Sequence, residues 1–204
     1  MMSEAMDDLG PVYTSGRKGA EPFRDSEESL GFDLLSFWQW SSSDLVTNTT
    51  RGVLAEYLVA RALGAVPPGK VRDLWDSYDV ELDDGRGVEI KSSAFLQSWH
   101  QDRLSQIGFD IRKTLPWDKR TGKYGEGAQR QADVYVFALL AHTDQETLDP
   151  MDVSQWEFYV VPTATLDRQF PEQKSIGLSS LRKLTEPLTF RELKDAVNHS
   201  ASAS

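Results

Sequence analysis

The chain has 204 residues, of which 39% are hydrophobic and none is cysteine. That is enough for one sizeable α/β core but short for two, and it rules out disulfides and thiolate metal sites. A net charge of -10 at pH 7 argues against a uniformly basic surface, and the absence of any ~20-residue apolar run or signal-peptide pattern leads to the expectation of a cytoplasmic protein with no membrane partner.

The acidity is unevenly spread. Residues 1–50 hold nine acids (Glu4, Asp7, Asp8, Glu21, Asp25, Glu27, Glu28, Asp33, Asp44) against three bases (Arg17, Lys18, Arg24), six of the ten excess charges. Residues 1–30 mix Gly, Pro, Ser and acids with few large apolar residues, a composition that predicts an acidic, disordered tail. The small polar residues 198–204 predict a frayed C-terminus. A single domain over residues 31–197 remains.

Phe32, Leu34, Leu35, Phe37, Trp38 and Trp40 predict a short apolar helix that packs and stops at Ser41-Ser42-Ser43. The tryptophans Trp38, Trp40, Trp75 and Trp156 are read as core. Asn48, Thr49 and Thr50 offer N-caps for a helix over residues 51–63, which Gly64 and Pro67-Pro68-Gly69 end. The period then alternates, with residues 79–82 and 88–91 flanking Asp83-Asp84-Gly85-Arg86-Gly87, a β-hairpin pattern. Residues 132–140 and 156–161 are apolar runs of strand length, read as central strands. Thr163–Arg168 and Phe190–Val197 read as helices, and residues 178–184 fit either state.

Side chains alternate across a strand, so Glu89 and Lys91 share one face and Val88 and Ile90 the other. With the turn centred on Gly85, Leu82 is expected opposite Val88 and Asp79 opposite Lys91, diagonal to Glu89, close enough for both carboxylates to share an ion. Hard oxygen ligands of this kind hold Mg²⁺, which stabilises charge developing on the phosphorus and leaving oxygens during phosphodiester hydrolysis. Lys91 can orient or deprotonate the attacking water, or act as a cation on the transition state. The Ile90 backbone carbonyl reaches a metal if the strand edge is open. Gly52, Glu56, Val59 and Leu63 form one helical stripe, so Glu56 points among small or apolar neighbours and needs a partner: a metal, or an ion pair with Arg51 or Arg61. Ser92 and Ser93 read as small strand residues.

At these residues the sequence resembles the PD-(D/E)XK nuclease superfamily: Tyr78-Asp79, nine intervening residues, then Glu89-Ile90-Lys91, preceded by Gly52-Val53-Leu54-Ala55-Glu56 on a helix. Tyr78 stands where the motif's proline would be, and Asp76 competes with Asp79 as the ligand. The resemblance implies a restriction-endonuclease-like αβββαβ core with a central mixed sheet flanked by helices, fitted over residues 45–161. It also implies Mg²⁺ dependence with Mn²⁺ as a substitute, Asp79 and Glu89 as ligands, Lys91 as catalytic residue and Glu56 as accessory ligand. It makes DNA the expected substrate, with RNA as the alternative.

Between the hairpin and the next strand the chain turns basic. Arg103, Arg112, Lys113, Lys119, Arg120, Lys123 and Arg130 face only Asp102, Asp110, Asp118 and Glu126 across residues 97–131, interleaved with Gln97, Trp99, His100, Gln101, Trp117 and Gln129. Such side chains hold phosphates and stack on bases. The predicted nucleic-acid contacts are Gln97, Arg103, Arg112, Lys113, Lys119, Arg120, Lys123, Gln129 and Arg130. Gly122, Gly125 and Gly127 read as a flexible loop, not a phosphate-gripping one, and the three histidines lack ligand spacing. The leading expectation is a metal-dependent DNA endonuclease serving restriction, repair or defence against foreign DNA. It would work as a homodimer or in a larger assembly, since one domain carries one site. The alternative is an inactive nuclease-fold module that binds a protein partner or nucleic acid.

Overall fold

The computed structural model describes residues 10–72, 77–118 and 120–200. A mixed four-stranded sheet forms its centre, in the order β3 (Val80–Glu81), β4 (Gly87–Ala94), β8 (Val134–Leu140), β9 (Trp156–Pro162). β4 and β8 run parallel, and the other two pairings are antiparallel. All seven residues of β8 are buried, as expected of a strand covered on both faces.

The period-2 alternation divides the core in two. Val88, Ile90, Val136, Ala138, Phe158 and Val160 face α2 (Asn48–Leu63) and α5 (Leu193–Ser200). Tyr135, Phe137, Leu139, Tyr159 and Val161 face a second layer that includes Ile111, Leu166 of α3 (Thr163–Gln169) and Leu181 of α4 (Leu178–Leu181). Each fully buried large side chain contributes roughly 2–3 kcal/mol. Out of phase with Val88 and Ile90, Glu89 and Lys91 emerge on the second face.

α2 starts where the Thr47 hydroxyl accepts the Thr50 N–H and ends at Gly64, close to the expected bounds. The predicted helices over residues 163–168 and 190–197 are present, the latter as a 3-10 turn (Phe190–Glu192) leading into α5 behind a Thr189–Glu192 capping box. α5 continues to Ser200, so residues 198–200 are helical where fraying was expected; 201–204 lie outside the described residues.

Three further expectations are corrected. Between β4 and β8 no helix occurs among the described residues. The connection instead holds β5 (Gly108–Asp110), which pairs with β10 (Ser175–Gly177), and a ribbon of β6 (Trp117–Asp118) and β7 (Lys123–Tyr124) extended by a Thr114–Gln129 bridge. Pro116 and the glycines break helical propagation there. Gly122, at φ 64 and donating to the Asp118 carbonyl at 2.8 Å, turns the ribbon where a flexible loop was expected. Second, residues 22–33 pair as β1 (Pro22–Asp25) and β2 (Glu28–Asp33), although almost every side chain in this hairpin is exposed. Third, α1 (Leu34–Ser42) forms as predicted but buries nothing: Trp40 is 85% exposed and Trp38 also faces solvent. Trp156 is core as expected, with its indole N–H donating to the Pro150 carbonyl at 2.9 Å. Trp75 and Asp76 lie outside the described residues.

Candidate active site at the sheet edge

β3 is short, and its register differs from the expected one. Val80 pairs with Val88 and Glu81 with Gly87, which sets Asp79 level with Glu89, not with Lys91. The turn explains the shift: the Leu82 N–H donates to the Arg86 carbonyl and the Gly85 N–H to Leu82, so the loop closes two residues tighter than a pairing of Leu82 with Val88. The ladder continues with Asp79 N–H to the Val88 carbonyl at 3.1 Å, and then a side chain takes over: Asp79 Oδ2 accepts the Ile90 N–H at 2.7 Å. Among the described residues no strand covers this edge of β4 beyond Val88. The Ile90 carbonyl points to the same edge as its N–H, because both groups of one strand residue project the same way.

Gly87 secures this end of the hairpin. Its N–H donates to Asp133 Oδ2 at 2.8 Å, and a Cβ on it would stand 2.4 Å from the Tyr78 ring, next to Asp79. Gly87→Ala is therefore expected to push Tyr78 and the adjoining Asp79 out of place. Thermal unfolding should show about 1–3 kcal/mol of destabilisation.

Burial first, then the charges of Glu89 and Glu56, push the Asp79 carboxyl up to about 7, against the opposing Ile90 N–H and Lys91. Crowded, partly desolvated carboxylates of this kind favour a proton or a cation between them. Lys91 donates to Glu89. Burial acts against its charge, but Glu89, with Asp79 and Asp110, outweighs burial and holds the ammonium above its ordinary range. Ser92 accepts from the buried Arg51 at 3.2 Å on the opposite face.

Glu56 is brought near Asp79, whose pKa it raises, but its carboxylate is taken by Arg72, and by neither Arg51 nor Arg61. No group of three or more Asp, Glu or His side chains among the described residues is arranged to hold a metal ion. The donor set at the edge consists of two carboxylates, Asp79 and Glu89, and the Ile90 carbonyl.

A cavity of about 100 Å³ opens beside them, lined by Glu89, Lys91, Asp110, Arg112, Gln131 and Tyr135 among others. That is room for roughly three waters, or an ion with part of its shell. Asp110, the last residue of β5, was legible only as a charge, whereas Arg112, two residues on, was among the predicted nucleic-acid contacts. Burial works against Asp110 ionising, but Arg112, donating from its backbone N–H and from Nε at 2.9 Å, holds that carboxyl low.

The basic segment separates into different roles. Arg112 reaches the cavity. Lys113 pairs with Glu172 at 3.2 Å, Gln129 reaches Gln131 at 3.3 Å, and Arg120 and Lys123 are exposed on the ribbon. Arg103 lines a separate open concavity with Trp99 and His100. Two predicted contacts, Arg130 and Gln97, are engaged within the fold. Arg130 is 6% exposed and serves the fold, donating to the carbonyls of Ile111 at 2.8 Å and Phe170 at 2.7 Å and pairing with Asp167. Gln97 is committed to Ala94, Ser105 and Arg51. Lys119 lies outside the described residues.

A mixed α/β domain that crowds carboxylates and a lysine on an open strand edge has the parts of a hydrolytic centre. A family model described as Bacteriophage T4 endonuclease IV matches residues 33–179, and the chain belongs to that endonuclease family. The matched stretch contains Glu56, Asp79, Glu89, Lys91, Asp110 and Arg112. No curated protein matches the chain. Among the described residues no helix is long and apolar enough to cross a membrane.

Proposed function

We propose that the protein is a divalent-metal-dependent DNA endonuclease whose centre is Asp79, Glu89 and Lys91. The observation that carries this reading is the crowding of Asp79 against Glu89 where, among the described residues, no strand covers the edge of β4, within an endonuclease family. Asp79, Glu89 and the Ile90 carbonyl fit Mg²⁺, or Mn²⁺ in its place, as hard oxygen donors. When bound, the ion supplies charge stabilisation to the phosphoryl and leaving oxygens. Asp79 is fixed by its bond to the Ile90 N–H, so the ligand arrives preorganised. Lys91, held protonated by its acidic neighbours, acts as the cation that positions the attacked phosphate. Arg112 lies one cavity wall away, placed to hold a neighbouring phosphate. The mixed sheet and the upstream Glu56 helix agree with the PD-(D/E)XK reading of residues 78–91, and we assign the chain to that superfamily as part of the proposal. Restriction, repair and defence against foreign DNA are the roles such an activity serves.

Proton linkage gives the test. With its pKa raised, Asp79 takes up a proton more readily in the folded than in the unfolded chain. That stabilisation is complete at acid pH and is lost as pH rises from about 4 through about 7. A metal ligand must be deprotonated, so the gain from metal runs the other way. Thermal unfolding with and without millimolar Mg²⁺ or Mn²⁺ is expected to show little metal stabilisation at about pH 5 and a clear rise in Tm at about pH 8. The rise should vanish in Asp79→Asn. A Tm indifferent to both ions at the higher pH contradicts the metal assignment.

A further inference from the structure

Both oxygens of Glu56 are engaged by one guanidinium. Arg72 Nη2 donates to Oε1 at 2.6 Å, and Nε donates to the other oxygen. Such two-pronged grips are the strong form of a charge-assisted bond, and a phosphate satisfies the same fork. The two partners are unequally placed. Glu56 projects from α2 with its side chain 16% exposed, whereas Arg72 lies outside helix and strand and is 36% exposed. Arg72 borders a cleft of about 590 Å³ in which Lys70 is the other base and Glu56, Asp79, Glu81 and Asp83 are the acids. The cleft therefore reaches Asp79 of the candidate centre, and Arg72, the more exposed partner, is the cation an incoming phosphate meets before it meets Glu56. The charges are shared as well: Asp79 is pushed up in part by Glu56 and adds to the attraction on Arg72.

We propose that Arg72 is a latch on the metal centre. In the free protein it occupies the Glu56 carboxylate; a backbone phosphate entering the cleft takes over the guanidinium and releases Glu56 as a further ligand beside Asp79 and Glu89. The inference rests on the metal reading of that centre. Its consequence is coupling: nucleic acid strengthens metal binding, and metal strengthens nucleic-acid binding by the same factor.

Calorimetric titration of Mn²⁺ into the full chain, without DNA, tests it. Arg72→Ala is expected to bind Mn²⁺ roughly three- to tenfold more tightly than wild type, the size of a competing ion pair removed. Glu56→Gln alone should stay within about twofold of wild type, because that carboxylate is already engaged, and the double variant should lose the gain. Arg72→Lys, which keeps the charge without the fork, should fall between wild type and Arg72→Ala. In EDTA, a labelled DNA oligonucleotide should bind Arg72→Ala several-fold more weakly. If Arg72→Ala leaves Mn²⁺ affinity unchanged or weaker while Asp79→Asn abolishes wild-type binding, the latch is wrong and the centre stands. If Asp79→Asn binds Mn²⁺ as wild type does, the centre itself fails and the latch falls with it.

Discussion

Lys91→Ala is expected to lower the rate of DNA cleavage by roughly a thousandfold or more, with a much smaller change in DNA affinity. The ammonium stands on the face of β4 that carries Glu89 and lines the small cavity, so in the proposed mechanism it acts where charge develops on the scissile phosphate. Its acidic neighbours hold its pKa up, so the lost function is that of a cation, and raising the pH through the neutral range should not substitute for it. The side chain is about one-third exposed and its partner Glu89 stays in place, so the variant should fold. Single-turnover cleavage by wild type and Lys91→Ala, alongside binding in the absence of metal, separates the two quantities. A variant that binds tenfold more weakly but cuts at the wild-type rate once bound would move Lys91 from chemistry to binding.

Arg130→Ala should do the opposite, removing stability while sparing the intrinsic affinity of the folded fraction for DNA. The guanidinium is wholly buried and ties three places together: the Ile111 carbonyl after β5, Asp167 in α3, and the Phe170 and Gln173 carbonyls that follow it. Truncation leaves carbonyls and a carboxylate without their donor, a loss of about 3–5 kcal/mol. Denaturant unfolding of the variant measures it. A midpoint equal to wild type, combined with weaker DNA binding, would return Arg130 to the nucleic-acid surface.

The difference between these two residues shows what the sequence could convey. β4, β8 and β9 were legible because unbroken apolar runs of strand length leave few alternatives, and α2 because its cap, stripe and terminating glycine agree. Glu89 and Lys91 followed from alternation alone. The register that places Asp79 depends on how tightly residues 82–86 turn, a local hydrogen-bonding choice to which an alternating pattern is blind. Arg112 was read as a nucleic-acid contact from its basic segment, but Arg72 and Asp110 could not be placed, because they approach the centre across tertiary contacts that carry no periodic signature. Arg130 was read as surface for the same reason: its charge is visible in sequence, but the carbonyls that bury it belong to segments 19 to 43 residues away. The expected crossover helix was displaced by turn-forming residues whose ribbon pairing is nonlocal.

The most direct measurement is plasmid cleavage by the purified chain in Mg²⁺, in EDTA, and with Glu89→Gln in Mg²⁺. Glu89 is chosen because it stands level with Asp79 and pairs with Lys91, so it belongs to both halves of the proposed centre. Strand breaks from wild type in Mg²⁺, with none in EDTA and a fall of at least about a hundredfold in Glu89→Gln, are the predicted result. Cleavage that persists in EDTA, or at the wild-type rate in Glu89→Gln, would contradict it.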